Sequence, residues 1–202
     1  MKFQTNVDNY ADPYGTMIIF TFGGFLGLGA ALMLSCREKV PSNSTALHKN
    51  YTANGFSSAY SLLGTAILAI SLPFLIYDWH QVIDGSNPFS TYTPVLCVIL
   101  SVSASTLSCV ALGLIFYGRP IVRHLIYGPI AGAVIGGASS YYISNPVYAI
   151  VVGATGGILQ AIFMTVKQYL VNTKGYRPIT SVSFTLFGIQ GFIGSAFAVC
   201  WK

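Results

Sequence analysis

Charged residues are scarce in this sequence, and acids are the scarcest of them. Only 7% of its 202 residues are charged, with five Asp and Glu against ten Lys and Arg. Soluble domains run to about 25% charged, so an ordinary water-facing fold is excluded. The acids are Asp8, Asp12, Glu38, Asp78 and Asp84, and all of them fall outside the apolar runs. That removes the intramembrane carboxylate pair that a proton relay needs. The four cysteines, Cys36, Cys97, Cys109 and Cys200, make no C-x-x-C pair, so no disulfide framework and no metal site is expected. Buried small hydrophobes is the reading for them. The three histidines, His48, His80 and His124, are far apart and fall in or near connections. Solvated or interfacial imidazoles are expected there, since a metal centre needs a closer set. No motif joins Ser, His and Asp into a nucleophile, and no basic patch is interleaved with aromatics. The chain is therefore expected to be no enzyme, to hold no cofactor, and to have no nucleic acid or soluble substrate as partner.

What the sequence has instead is apolar length, with 53% of its residues hydrophobic. Apolar runs of roughly 20 residues can cross a hydrocarbon layer as helices. Six are read, at Tyr14–Cys36, Ser57–Tyr77, Tyr92–Tyr117, Leu125–Ile143, Val147–Val166 and Ile179–Cys200. Transmembrane strands would show about ten residues of alternating polarity, whereas these runs are longer, continuous and rich in Leu, Ile, Ala and Gly. The expected fold class is an all-α integral membrane bundle of six helices. It forms one domain over residues 1–202, because no connection is long enough to divide it.

Charge fixes the orientation. Arg37, Lys39, Lys49, Arg119, Arg123, Lys167, Lys174 and Arg177 fall in the first, third and fifth connections or at helix ends facing them. The other side keeps only Lys2 and Lys202 of the ten basic residues, with Asp8, Asp12, Asp78 and Asp84. The positive-inside rule then puts both termini outside. Two glycosylation sequons, Asn43-Ser44-Thr45 and Asn50-Tyr51-Thr52, lie on the inner side, where they would go unused. Residues Met1 to Ala11 read as neither a signal peptide nor a transit peptide, and the first helix is expected to serve as its own targeting signal. Tyr77-Asp78-Trp79 and Cys200-Trp201-Lys202 read as interfacial anchors.

Glycine is concentrated inside the helices. Gly23 and Gly27, then Gly128, Gly132 and Gly136, then Gly153 and Gly157 recur every fourth residue, while Gly188, Gly191 and Gly194 recur every third. Such spacing gathers small residues on one face and lets backbones approach closely. The run from Gly23 to Gly29 resembles a phosphate loop only superficially, since it lies in mid-span with no strand before it. Pro73, Pro94 and Pro129 fall within or near spans, where kinks or irregular turns are expected. The connection Asp78–Ser90, with Gly85 and Pro88, reads as a turn, and Ser144-Asn145-Pro146 as the corner of an antiparallel hairpin.

From about Asp12 to Gly194 the chain resembles the second half of the ammonium transporter and Rhesus glycoprotein family. The stretch from Asp12 to Gly23 is similar to the family's fifth helix, in its Rhesus branch above all. Ser57 to Thr65 followed by Pro73 is similar to the sixth helix. Ala131 to Gly136 and Pro146 to Gly157 resemble the eighth and ninth, and Gly188, Gly191 and Gly194 the tenth. The resemblance implies that Ile19-Phe20-Thr21-Phe22-Gly23 and Phe184-Thr185-Leu186-Phe187-Gly188 stand where the family carries its paired pore histidines. Both positions are phenylalanine here, Phe20 and Phe187, so these are vestigial pore positions. Imidazole donates and accepts hydrogen bonds and titrates near neutrality; a phenyl ring does neither. A gate phenylalanine of the sixth helix corresponds to Leu75, beside Phe74. Two family acids are replaced, by Ser58 and Ile179, and one is kept at Asp12, where a helix cap accounts for it.

The resemblance also implies two inverted five-helix halves with the pore between them. This chain matches the last helix of the first half and the whole of the second. The expectation is a degenerate, non-transporting accessory subunit of a large membrane complex, with other membrane subunits and structural lipids as partners. A respiratory-chain complex of the mitochondrial inner membrane is the expected host, with the plasma membrane as the alternative location. The alternative function is half of a split ammonia or gas channel that a second chain completes.

Overall fold

The computed structural model describes residues 15–37, 55–84, 88–118, 122–143, 145–174 and 181–200. Among these there are six helices and no strand. They are α1 (Thr16–Arg37), α2 (Gly55–Asp84), α3 (Pro88–Tyr117), α4 (Val122–Ser139), α5 (Pro146–Lys174) and α6, which runs in three pieces. Within α6, Ser181–Ser183 and Gln190–Cys200 are α-helical and Phe184–Ile189 between them is a π-helix.

Local chemistry sets the helix ends. Gly15 takes φ +63°, and its carbonyl accepts the Ile19 N–H at 2.9 Å to open α1. Gly118, at φ +65°, donates its N–H to the Leu114 carbonyl and closes α3. Both use the left-handed conformation that glycine alone adopts freely. Pro88 and Pro146 are first residues of α3 and α5, where a missing N–H costs nothing.

Some boundaries differ from those read in the sequence. The stretch Asp78–Asp84, read as the start of a connection, continues α2. It contains no glycine or proline, so nothing stops the helix before Gly85. α5 likewise runs on to Lys174, with Gly175 next. Among the described residues, three helices contain segments long and apolar enough to cross a membrane, Ser57–Tyr77, Tyr92–Tyr117 and Pro146–Lys167. Shorter apolar segments are Ile18–Met33 and Phe184–Cys200. α4, which overlaps the span read at Leu125–Ile143, is not among these segments. It has 18 residues, about 27 Å of helix, and every residue from Ala131 to Ser140 is buried. α4 packs against α3, α5, α6, α2 and α1. A helix sheathed by its neighbours needs small residues more than lipophilic ones, which is why Gly and Ser replace Leu there.

Glycine and serine weld α3, α4 and α5 together. The Ser101 Oγ donates to the Gly132 carbonyl at 2.9 Å, and the Ser105 Oγ to the Gly128 carbonyl at 2.7 Å. The Ser108 Oγ reaches across to the Ala154 carbonyl of α5 at 3.2 Å. A Cβ on Gly132 would stand 2.6 Å from the Ser105 Cβ, and one on Gly153 2.6 Å from the Ser101 Cα. The stripes of α4 and α5 are therefore contact faces, whereas on α1 the expected stripe is displaced: Gly23 meets nothing within 4 Å and its neighbour Gly24 makes the close approach instead. Beside them Cys97, Ile135, Ile143, Ala149 and Val152 form the apolar core.

Asp12, His48, both sequons, Gly85, Pro178, Ile179, Trp201 and Lys202 lie outside the described residues.

Candidate functional site

α1 meets α6 through glycine. A Cβ on Gly24 would collide with the Gly188 nitrogen and stand 2.6 Å from the Gly188 Cα. One turn away, a Cβ on Gly191 would lie 2.7 Å from the Thr21 Oγ1, and one on Gly27 would lie 3.4 Å from the Ser183 Cβ. Backbones this close bring the flanking aromatics together in pairs. The Phe20 and Phe187 rings stack with centroids 5.7 Å apart and planes at 13°. The Phe25 and Phe184 rings meet edge to face at 5.1 Å. Both separations lie within the range of about 4.5–7 Å over which aromatic pairs attract.

The π-helix supplies the register. Phe184–Ile189 winds with an extra residue per turn, and it carries both Phe184 and Phe187. Single π turns inside α-helices are rare and recur at functional sites. Here the turn sets two phenyl rings against α1, with Gly188, the residue after Phe187, as the backbone contact point. The Gly188 Cβ position is already 3.0 Å from the Phe184 ring.

Chemically the contact is inert. Phe20 and Phe187 are half-buried, whereas Ile19 and Phe22 on the same stretch of α1 are 66% and 67% exposed. The contact is apolar, but one side of α1 beside it is open. Leu75 is 49% exposed on α2, whose main partners are α3 and α4, and Phe74 beside it is 67% exposed. Asp12, the fourth position singled out, lies outside the described residues.

Three features escaped the sequence reading. His124, expected to be solvated or interfacial, is 2% exposed. A Cβ on Gly113 would lie 2.9 Å from its ring, and Tyr117 packs beside it at 5.8 Å. Gly113 opens a slot that the imidazole fills, so a position near a connection becomes an interior one. Cys200 is exposed, in contrast to buried Cys97 and Cys109. Finally, Gln160 and Gln190 are 1% and 0% exposed, and the Gln190 Nε2 donates to the Gly156 carbonyl at 3.0 Å. A lone glutamine in an apolar run was the only available signal for either.

The chain is similar to known proteins over most of its length. Residues 3–198 match the family profile described as the Ammonium Transporter Family. The ammonium transporter Rh type C of Tetraodon nigroviridis is 26% identical over 202 residues, covering 96% of this chain and 40% of its own length. The ammonium transporter Rh type B of Rattus norvegicus is 27% identical over 187 residues, covering 91% of this chain and 36% of its own length. The solved structure of Rh50 from Nitrosomonas europaea, described as belonging to the Rhesus protein family of channels, has a TM-score of 0.74 at 21% identity. That match covers 96% of this chain and 48% of Rh50, so the chain spans less than half the length of each relative. The all-α membrane fold, the glycine-mediated helix contacts and the profile match together place this chain in the Ammonium Transporter Family.

Proposed function

We propose that this chain is a non-transporting, Rh-like accessory subunit of a larger membrane protein complex. One observation carries the reading: the Phe20–Phe187 stack, 5.7 Å between centroids, at the two positions where the family resemblance puts pore histidines. An ammonium ion loses its hydration on entering hydrocarbon and needs polar groups in exchange. Two stacked phenyl rings offer none, and they fill the space in which a proton acceptor would stand.

The outer face of α1 supports the role assigned. Ile19, Phe22, Phe25, Leu26 and Met33 are each more than half exposed. Such a face suits other membrane subunits or bound lipid. The host we propose is a respiratory-chain complex of the mitochondrial inner membrane. What supports it is the placement of two sequons on the basic side of the chain, where a secretory route would leave them unglycosylated. A second reading, half of a split ammonia channel, draws support from the coverage of 48% of the Rh50 chain.

Two measurements test the proposal together. Purification in mild detergent through a tag should bring down a large assembly, and deleting the chain should lower its yield. Liposomes containing the purified chain should show no ammonium-dependent pH change above empty vesicles. Saturable flux from the chain alone would overturn the reading. Flux that needs a second, co-purified chain would favour the split channel instead.

A further inference from the structure

Arg123 of α4 and Lys167 of α5 come together at one end of the seam between those helices. From Ser101 to Ser105 the contacts of α3 move from Gly136 back to Gly128 on α4 and from Gly153 on to Gly157 on α5, so α4 and α5 run antiparallel. Gly156 fixes their register, its Cβ position lying 2.9 Å from the Ile135 Cγ2 and 3.6 Å from the Ala131 carbonyl. At 1.5 Å per residue Lys167 lies about 16 Å beyond that contact, and Arg123 lies about 12 Å from Ala131 and about 18 Å from Ile135, so the two share one depth. The eleven residues from Gly156 to Lys167 make three turns and about 20°, which puts Lys167 on the face of α5 that packs on α4. Arg123 stands on the same four-residue row of α4 as Ala131 and Ile135. The Arg123 charge accordingly acts on Lys167, which is half-buried, while Arg123 is exposed.

No carboxylate among the described residues offsets this pair. From Val122 to Cys200 the sequence contains no Asp or Glu. The described acids are Asp78 and Asp84, and both belong to the end of α2 that leads into α3. α3 then runs for 30 residues, about 45 Å of helix, before the chain reaches Arg123. Two like charges held together, one of them half-buried, lose solvation and repel each other. An anion between them relieves both penalties.

We propose that Arg123 and Lys167 hold the headgroup phosphate of an anionic phospholipid at the end of the α4–α5 seam. Charge complementarity names the headgroup: guanidinium offers a fork to two phosphate oxygens and ammonium a compact point charge. The depth agrees, because Lys167 ends the apolar segment Pro146–Lys167. The surroundings name a lipid in preference to a free ion. Leu125 on α4, and Ile162 and Val166 on α5, are exposed within two turns of the cations and give acyl chains a surface to lie on. The positive-inside rule sets this end on the inner side, where basic pockets between helices take anionic headgroups. The site needs only the membrane fold, so it stands whichever complex hosts the chain.

Thermal unfolding of the intact chain in nanodiscs tests the site, with phosphatidylglycerol compared against phosphatidylcholine of the same acyl chains. Phosphatidylglycerol is expected to raise the midpoint of the wild type and not that of the Arg123→Gln, Lys167→Gln double variant. An Arg37→Gln, Lys39→Gln variant removes the same charge from the same side and should keep the shift. In phosphatidylcholine the Arg123→Gln, Lys167→Gln variant should match or exceed the wild type in stability, since its repulsion is gone. No shift in the wild type, or a shift that survives in that variant, overturns the site. Inorganic phosphate added to the wild type in phosphatidylcholine should change nothing; a shift as large as that from phosphatidylglycerol would make this a free-anion site and overturn the lipid assignment. Cryo-electron microscopy of the wild type in phosphatidylglycerol nanodiscs decides without any variant. Headgroup density within ion-pair reach of both side chains, about 4 Å, supports the site, and a protein carboxylate or no density there overturns it.

Discussion

Gly24 and Gly188 lie backbone against backbone, with the Gly188 Cα 2.6 Å from the place a Gly24 Cβ would occupy. Phe20, one turn before Gly24, and Phe187, the residue before Gly188, inherit their stacking from that contact. The aromatic pair is thus a consequence of helix packing. It persists only while both glycines do.

Substitution at Gly24 should be costly while its neighbour tolerates the same change. Gly24→Ala forces a methyl group onto the Gly188 backbone and should destabilise the chain by about 1–3 kcal/mol, as overpacking does. Gly23→Ala meets nothing within 4 Å and gains helix propensity, a benefit of up to about 1 kcal/mol. Unfolding of both variants in detergent checks the contrast, and equal midpoints would show that α1 does not pack on α6 as described.

The seam between α3 and α5 makes a second ordering testable. Gly153→Ala would drive a methyl group into the Ser101 backbone, 2.6 Å from its Cα. Ser101→Ala removes one hydrogen bond, to the Gly132 carbonyl, and bonds of this type average about 0.6 kcal/mol in membranes. The glycine variant should therefore lose clearly more stability than the serine variant. Chemical denaturation in mixed micelles should reveal the order, and its reversal would mean that hydrogen bonds, rather than close approach, hold this seam.

Much of this architecture was legible because it follows from spacing. Gly132 and Gly136, and Gly153 and Gly157, lie four residues apart, and in the structure they face Ser101 and Ser105 of α3. Breakers fixed only some helix ends: Pro146 was read at a corner and opens α5, but Pro88, read as a turn residue, opens α3 four residues before the expected Tyr92, and α2 runs past Tyr77. The partners of α4 could not be read, since nothing in Val122–Ser139 records how many neighbours enclose it. His124 and Gln190 were missed for the same reason: enclosure of a polar side chain is decided by residues on other helices, Gly113 in one case and Gly156 in the other. The π turn at Phe184–Ile189 has no sequence signal that we can identify.

The Phe20–Phe187 contact should be measurable as a coupling. In a cycle of Phe20→Ala, Phe187→Ala and the double variant, the interaction energy is expected at about 0.5–1.5 kcal/mol, the value of an aromatic pair beyond its buried area. Strictly additive losses would mean that the rings do not interact in the bilayer.

Orientation is open to direct labelling. The split of basic residues between alternate connections predicts that Ser44 and Ser86 are on opposite sides of the membrane. Single cysteines introduced at these positions, Ser44→Cys and Ser86→Cys, in a background with the native cysteines replaced, should react from opposite sides of sealed vesicles with an impermeant maleimide. Reaction from one side would require a different number of crossings between them.

Restoring the imidazoles should not restore transport. In the Phe20→His, Phe187→His double variant, two rings that can carry and pass a proton return to the α1–α6 contact, 5.7 Å between centroids in the parent pair. A conducting path also needs walls, and the chain covers only 48% of the Rh50 chain it resembles in fold. Beside the contact, Ile19 and Phe22 are 66% and 67% exposed, so in lipid one side of any path would be hydrocarbon, where a cation is poorly stabilised. The double variant alone in liposomes is therefore expected to show no ammonium-dependent current. The half-buried imidazoles should make the fold less stable below neutral pH than above it, because protonation would place two like charges in an apolar contact, and unfolding midpoints on either side of neutrality would register this. Ammonium current from the double variant by itself would show that this chain encloses a path unaided, closed in the parent only by the two phenylalanines.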